Sequence, residues 1–316
     1  MSEPQLKIFS GSSHPKLAYE IANHLKVELG LVSRDRFNDG EISIKYNENI
    51  RGADIFIIQS TNSPADNILE LLIMIDAARR ASAKRITAVM PYYGYARQDR
   101  KDQPRVPISA KLLANLFSEA GADRILTMDL HVSQIQGFFD IPLDHLYGSY
   151  VFSEYFHDKA IPDLVITAPD IGSVRMARAY SKRLKGDLAI VDKRRTATNE
   201  VEVLNIIGDV KDKNILFVDD IVDTASTLAE ASVAVKEQGA KEIYVACSHA
   251  LLSKDAVTKI MESPIKEFAV TDSLYIDKTK QIPKLKVLPV ASLFSQAIER
   301  IHYEKSISIL FDIEKL

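Results

Sequence analysis

The stretch Asn214-Ile215-Leu216-Phe217-Val218-Asp219-Asp220-Ile221-Val222-Asp223-Thr224-Ala225-Ser226-Thr227-Leu228 decides how the chain is read. It opens on Ile215 to Val218, an apolar run of strand length. Three aspartates follow, Asp219, Asp220 and Asp223, then three hydroxyls, Thr224, Ser226 and Thr227, and an alanine-rich segment begins. A buried strand that ends in acids and turns into a helix is a layout of open parallel sheets, whose ligands sit beyond the carboxyl ends of the strands. The start of such a helix offers unsatisfied N–H groups and the positive end of a dipole, which suit a phosphate. The carboxylates suit Mg2+ or sugar hydroxyls. The stretch therefore points to a phosphorylated sugar held by its phosphate and its hydroxyls. The plainer alternative is a capped helix after a buried strand, but three acids and three hydroxyls exceed what a cap uses.

Working outward, 316 residues suggest two domains of ordinary size. A hydrophobic content of 46% and a charged content of 26% are ordinary for a water-soluble globular chain. A net charge of -3 without blocks of like charge argues against a nucleic-acid partner. The single cysteine, Cys247, excludes an intramolecular disulfide and fits a reducing compartment. No apolar run approaches the ~20 residues of a membrane helix, and the polar start Met1-Ser2-Glu3-Pro4-Gln5 lacks the regions of a signal peptide. A cytoplasmic location with no membrane partner is expected.

Apolar runs of four to six residues alternate with helical patterns along most of the chain, which predicts α/β architecture with two related open, largely parallel sheets flanked by helices. Strands are expected at Leu6–Phe9, Glu41–Tyr46, Asp54–Gln59, Arg85–Met90, Arg124–Met128, Leu164–Ala168, Leu188–Val191 and Glu242–Cys247, with short ones at Phe268–Thr271 and Lys286–Val290. Helices are expected at Pro15–Leu29, Pro64–Ala81, Val106–Gly121, Val174–Lys185 and Ser292–Ile301, besides the one after Thr227. Ser306 to Phe311 alternates like a terminal edge strand. A boundary near Tyr147–Gly148 gives an N-terminal domain over 1–147 and a C-terminal domain over 148–316, with 292–316 free to pack on the former.

No phosphate-binding G-x-x-x-x-G-K-[ST], dinucleotide G-x-G-x-x-G, G-x-S-x-G or H-E-x-x-H run is present. The positive signals are acids at strand ends, Asp129, Asp170 and Asp219, and basic loops. Pro91 to Lys101, with Tyr92, Tyr93, Tyr95, Arg97 and Gln98, is either a solvated loop over packed tyrosines or a nucleotide loop. His131, two residues past Asp129, is open to roles as metal ligand, phosphate contact, base or plain hydrogen bonder. Lys193-Arg194-Arg195 is either a solvated turn or a cationic loop, and phosphoryl-type transfer needs mainly positioning and charge neutralisation. Thr196 to Glu200 reads as a mobile loop.

These motifs carry a resemblance. Arg36-Phe37-Asn38-Asp39-Gly40-Glu41, Tyr95-Ala96-Arg97-Gln98-Asp99, Asp129-Leu130-His131, Gln134 to Asp140, Asp192-Lys193-Arg194-Arg195 and Val218-Asp219-Asp220 together resemble the ribose-phosphate diphosphokinase (phosphoribosyl pyrophosphate synthetase) family over nearly the whole chain. The resemblance implies type I phosphoribosyltransferase-like domains. It also implies transfer of the diphosphoryl group of ATP, with Mg2+, to the anomeric hydroxyl of ribose 5-phosphate, giving 5-phosphoribosyl 1-diphosphate and AMP for nucleotide biosynthesis. It implies ATP binding by Phe37, Asn38, Asp39, Glu41, Arg97 and Gln98, and Mg2+ linkage by His131 and Asp170. Lys193 and Arg195 would be a catalytic pair on a flexible loop. Asp219 and Asp220 would face the ribose hydroxyls, and Asp223, Thr224, Ala225, Ser226 and Thr227 would wrap the 5-phosphate. It further implies a homo-oligomer, commonly a hexamer, with phosphate and ADP as effectors. Arg51, Arg105, Gln136, Ser306, Ser308 and Phe311 stand at regulatory positions, and Asn49 where a serine is usual.

Two departures stand out. Ala225-Ser226 replaces two residues of a D-T-G-G-T or D-T-C-G-T loop, and Gly172-Ser173 replaces Gly-Gly. Ala225 and Ser226 disfavour a left-handed residue, so either this loop enters its helix without one or its grip on the sugar phosphate weakens, with the Ser226 hydroxyl offsetting part of the loss. A type I phosphoribosyltransferase shares the acid pair and hydroxyl loop but lacks the tandem sheets with Arg97, His131 and Lys193. A non-catalytic regulatory relative is expected to lose His131, Asp170, Lys193 or Arg195, and all four are present.

Overall fold

The computed structural model describes residues 4–195 and 202–310. The chain divides into two compact units. One holds residues 1–147, 273–275 and 290–316, and the other holds 148–272 and 276–289. The segment after 289 thus belongs to the first unit.

In the first unit the elements run β1 (Leu6–Ser10), α1 (Pro15–Leu25), β2 (Val32–Arg36), β3 (Ile42–Tyr46), β4 (Asp54–Ile58), α2 (Asp66–Arg80), β5 (Arg85–Met90), α3 (Ser109–Ala120), β6 (Arg124–Met128) and β7 (Leu143–Leu146). Five of these strands form a parallel sheet in the order β1-β4-β5-β6-β7. Every residue of β4 is buried, which is why Asp54-Ile55-Phe56-Ile57-Ile58 reads as a run rather than an alternation: both faces of a parallel sheet are covered. Ile55, Ile57, Met74, Ala78, Ala88 and Phe117 join one core between the sheet and α2 and α3. Strands β2 and β3 form a separate antiparallel hairpin. Pro15 sits in the first turn of α1, where its missing N–H costs nothing.

The second unit continues with α4 (Ser149–Lys159), β8 (Leu164–Ala168), α5 (Val174–Leu184), β9 (Asp187–Arg195), β10 (Glu202–Ile207), β11 (Asn214–Val222), α6 (Ser226–Glu237), β12 (Ile243–Ala250), α7 (Ala256–Glu262), β13 (Glu267–Thr271) and β14 (Leu285–Leu288). Its sheet has the order β10-β9-β8-β11-β12-β13-β14 and is parallel except for the β9–β10 pair. Side chains of β11 alternate between two cores. Ile215 and Phe217 pack with Leu228, Val235 and Ile260 of α6 and α7. Leu216 and Val218 pack with Phe152, Phe156 and Tyr180 of α4 and α5. The last helix, α8 (Ala291–His302), belongs to the first unit and packs on α1. Its Ile301 carbonyl accepts from Arg85 at 2.9 Å, and His302 Nδ1 lies 2.7 Å from the buried Asp54 carboxylate.

Three expectations are corrected. Ser306 to Leu310 is not an edge strand: Ser308–Leu310 forms a 3-10 turn, and the Ser306 hydroxyl accepts from the Ser308 N–H at 3.3 Å, a local bond that competes with extension. Strand β9 does not stop at Val191 but runs through Arg195, because β10 supplies it with an antiparallel partner. Strand β11 likewise runs past the acids to Val222, paired with β12. Phe311 and Thr196 to Glu200 lie outside the described residues.

Candidate active site

Asp219 and Asp220 of the deciding stretch sit toward the carboxyl end of β11, the central strand of its seven-stranded sheet, flanked on both sides by parallel strands, and Asp223 follows directly after it. Asp219 Oδ1 accepts from the Ser173 hydroxyl at 2.8 Å and from the Asp220 N–H at 3.0 Å. Ser173 stands at the start of α5, where its N–H and hydroxyl also donate to Asp170 Oδ1 at 3.1 and 3.3 Å. Asp170, Asp219 and Asp220 thus share one hydrogen-bonded corner. Desolvation of the Asp219 carboxyl pushes its pKa well above the usual carboxylate range, and the charges of Asp220 and Asp170 push it further the same way, against a smaller downward pull from Ser173. Behind it, burial raises the Cys247 thiol, and Asp219 and Asp220 add to that. Cys247 is therefore an inert core residue.

Crowded oxygen donors of this kind suit a hard divalent cation, which would relieve the repulsion that raises Asp219. Among the described residues no three histidine, cysteine, aspartate or glutamate groups gather into a metal cage. Asp170 and Asp219, joined through Ser173, are oxygen donors of the kind Mg2+ takes one or two at a time, completing its shell with water and substrate phosphates.

The loop beyond β11 turns into α6. Ala225, at the N-cap of α6, takes the left-handed conformation, φ 59 and ψ 8. Of the two alternatives, the loop does not enter its helix without such a residue: alanine occupies the conformation at a steric cost that glycine avoids. No side chain caps α6, so the cap leaves its first N–H groups to another acceptor. Asp223 is anchored by the Ser253 hydroxyl and by a Ser253 N–H bond to its carbonyl at 2.9 Å. Thr224 Oγ1 and Ser226 Oγ are 3.3 Å apart, Lys259 of α7 donates to Ser226 Oγ at 2.9 Å, and Thr227 is exposed. Ser173, Ser253 and Lys259 were not singled out as site groups in the sequence. Ser173 carried a signal as half of Gly172-Ser173; Ser253 and Lys259 carried none, being 30 and 33 residues from the partners they meet.

Lys193 and Arg195 lie on the β9–β10 ribbon, paired with Leu204 and Glu202. The pair stands on strand backbone rather than in a loop. In the first unit, Phe37, Asn38, Asp39 and Glu41 form the tip of the β2–β3 hairpin, and all are exposed. The tip is closed by Phe37 N–H to the Glu41 carbonyl at 2.9 Å and by Gly40 at φ 95, and Asp39 Oδ1 accepts the Glu41 N–H at 3.1 Å. A phenyl ring 60% exposed on a rigid turn is a ready stacking surface. The loop after β5 packs two of its tyrosines, as the first reading of Pro91 to Lys101 expects. Tyr92 and Tyr93 are buried, Tyr93 donating to the Ala110 carbonyl at 2.7 Å, while Arg97 and Gln98 are exposed above them. Gln98 Oε1 accepts from the Ser109 hydroxyl at 2.5 Å. His131 is exposed beyond β6.

A cavity in the first unit is lined by Arg85, Arg124, Asp144, Ile301, Ser306 and Ser308, among others. It gathers Ser306 and Ser308, two of the six positions to which the resemblance gives a regulatory role, beside Arg85 and Arg124. Arg85 is bound to Asp54 and Arg124 to Asp144, each pair spaced for parallel neighbouring strands. Arg51, Arg105 and Gln136 do not line it; Arg51 and Arg105 are exposed, and Gln136 donates to the Ser133 carbonyl at 3.1 Å.

Comparison with known proteins accords with this layout. Residues 6–121 match the family model for the N-terminal domain of ribose phosphate pyrophosphokinase, and 194–312 match the phosphoribosyl synthetase-associated domain. The chain is 54% identical to a ribose-phosphate pyrophosphokinase of Chlorobaculum tepidum over 99% of its own length and 97% of that protein's. It is 53% identical to one of Clostridium tetani over 97% of each chain. The crystal structure of phosphoribosylpyrophosphate synthetase from Mycobacterium smegmatis superposes with a TM-score of 0.90 at 40% identity, covering 95% of this chain and 99% of that one. A strand-to-helix junction that offers acids, hydroxyls and uncapped N–H groups, carried on a chain alike to these proteins from end to end, places this protein in the ribose phosphate pyrophosphokinase family.

Proposed function

We propose that the protein transfers the diphosphoryl group of ATP to ribose 5-phosphate, producing 5-phosphoribosyl 1-diphosphate and AMP. The carrying observation is the β11–α6 junction: Asp219 and Asp220 lead directly into a hydroxyl-lined turn at an uncapped helix start. Asp219 and Asp220 accept hydrogen bonds from the ribose hydroxyls, and residues Asp223 to Thr227 take the 5-phosphate through hydroxyl and backbone N–H donors. The anomeric oxygen bonds to the β-phosphorus of ATP as the bridging bond to the α-phosphate breaks, and AMP leaves. Lys193 and Arg195 offset the charge on the moving group, the main task of a protein in phosphoryl-type transfer. Phe37, Asn38, Asp39, Glu41, Arg97 and Gln98 bind ATP, the exposed Phe37 ring offering a face for the base.

His131 and Asp170 are assigned as the residues that would hold Mg2+. When bound, the cation neutralises charge on the phosphates. Residues 1–147 are assigned the ATP-site and regulatory roles, and 148–316 the acceptor site, apart from the returning segment 292–316. The cavity bearing Arg85, Arg124, Ser306 and Ser308 has the cations and hydroxyls that phosphate or ADP would use as effectors. A homo-oligomer, as large as a hexamer, and a cytoplasmic location complete the reading; no described helix is long and apolar enough to cross a membrane.

The test is incubation with ribose 5-phosphate, ATP and Mg2+, resolving AMP from ADP. AMP formation that depends on ribose 5-phosphate is expected. ADP as the product, or no nucleotide turnover, overturns the reading.

A further inference from the structure

Ser226 opens α6, and its hydroxyl does not cap the helix. It accepts a hydrogen bond from Lys259 Nζ at 2.9 Å. Lys259 stands on α7, which packs beside α6. The same ammonium forms an ion pair with Asp255 one turn earlier, at 3.1 Å. An ammonium has three N–H donors, and its third has no protein partner among the described residues. The Lys259 side chain is 33% exposed, so an incoming anion can reach it.

The geometry also fixes which way the hydroxyl works. Because Ser226 Oγ accepts from the lysine, its own hydrogen is left to donate. The protein group in reach is Thr224 Oγ1 at a long 3.3 Å. A hydroxyl polarised by a cation is a stronger donor, and the acceptor that gains most from it is a charged oxygen. Nothing in the loop's own fold calls for a lysine there: Asp223 is held by Ser253, and the α6 start closes through Ala229 N–H to the Ala225 carbonyl at 2.9 Å.

We propose that Lys259 is a positioning residue for the acceptor phosphate. It brings a positive charge to the Asp223–Thr227 loop and orients the Ser226 hydroxyl toward a phosphate oxygen, so that it selects for an acceptor carrying a 5-phosphate. The proposal rests on the reading of this loop as the ribose 5-phosphate site.

The experiment compares wild type, Lys259→Met, Lys259→Arg and Asp255→Asn in the AMP-forming assay, with thermal melting alongside. Lys259→Met is expected to raise KM for ribose 5-phosphate about tenfold, the scale of one lost charge-assisted hydrogen bond, while kcat and KM for ATP stay within about twofold of wild type. Lys259→Arg restores most of the loss. Asp255→Asn breaks the same ion pair but keeps the cation, so it leaves KM for ribose 5-phosphate unchanged or lower. An unchanged KM in Lys259→Met overturns the proposal. So does Asp255→Asn reproducing the defect, or a fall in kcat and melting temperature in place of the KM change, since either makes the lysine a structural strut. Wild-type protein that forms no AMP fails the function itself, a result distinct from each of these.

Discussion

The two units each contain a strand that turns into a helix through a short polar loop, and the two junctions are finished differently. In the first unit, β1 passes to α1 through Gly11-Ser12-Ser13-His14. There backbone donors are met by protein side chains: Ser12 N–H donates to Glu70 at 2.6 Å and Ser13 N–H to Gln59 Oε1 at 2.9 Å, and the Leu17 N–H meets His14 Nδ1 at 3.1 Å. A Cβ built at Gly11 would lie 2.2 Å from Gln59 Oε1, so even the space is taken. In the second unit, β11 passes to α6 through Asp223-Thr224-Ala225-Ser226 with no side-chain cap and with the Thr224 and Ser226 hydroxyls 3.3 Å apart. Glu70 does for the first junction what a bound anion would do for the second. One turn is a structural joint, and the other is the receptor proposed for the 5-phosphate.

The largest effect that sharpens this contrast is expected from Glu70→Ala. It removes the acceptor of the Ser12 N–H, the Ser12 hydroxyl and the buried Gln59 Nε2, which is left with the Asn67 carbonyl alone. A loss of about 3 kcal/mol in a denaturant melt is expected, with KM for ribose 5-phosphate unchanged. A loss below about 0.5 kcal/mol would break the comparison, since the first junction would then not depend on its internal anion.

Asp219→Asn comes next. In wild type the folded carboxyl holds its proton to a higher pH than the unfolded one, so stability falls as pH rises from about 4 to the raised pKa and then levels off. Asparagine carries no such proton. The variant should therefore be nearly as stable as wild type at pH 4 and increasingly more stable above it, by up to about 1.4 kcal/mol per pH unit within the window, while losing AMP formation. Melting curves across pH check this; a stability difference that does not change with pH refutes the crowded-acid account.

The smallest expected change is Ala225→Gly. Removing the Cβ relieves the left-handed strain but loosens the unfolded chain, so a net gain of about 0.5 to 1 kcal/mol is expected. Because Ala225 already holds the geometry, KM for ribose 5-phosphate should move little. A fall of tenfold or more would mean that the alanine distorts the receptor as well as straining it.

Much of the architecture was legible from pattern. Continuous apolar runs such as Ile55 to Ile58 and Ile215 to Val218 mark strands covered on both faces, and they appear where expected. Strand β2 was missed because Val32-Ser33-Arg34-Asp35-Arg36 is largely exposed and polar, and its strand pairing is with β3 in the hairpin. Helix α4 hid in a segment carrying Pro142 and Gly148, although Phe152 and Phe156, four apart, both enter the core. Ser306 to Leu310 misled because a serine–isoleucine alternation looks like a strand until a hydroxyl bonds its own backbone.

The sequence by itself determined the α/β alternation, the acids and hydroxyls of the deciding stretch and the family resemblance, because neighbours along the chain impose these through period and turn chemistry. Tertiary structure alone decided that Ala225 is left-handed, that Ser173 binds Asp219, that Lys259 reaches Ser226, and that Arg85, Asp54 and His302 meet although Asp54 and His302 lie 248 residues apart. Such contacts come from sheet order and helix packing, which bring distant positions together, and no local window of residues encodes them. Asn214 to Leu228 thus named the chemistry, and the packing of α5 and α7 around it supplied the groups that tune it.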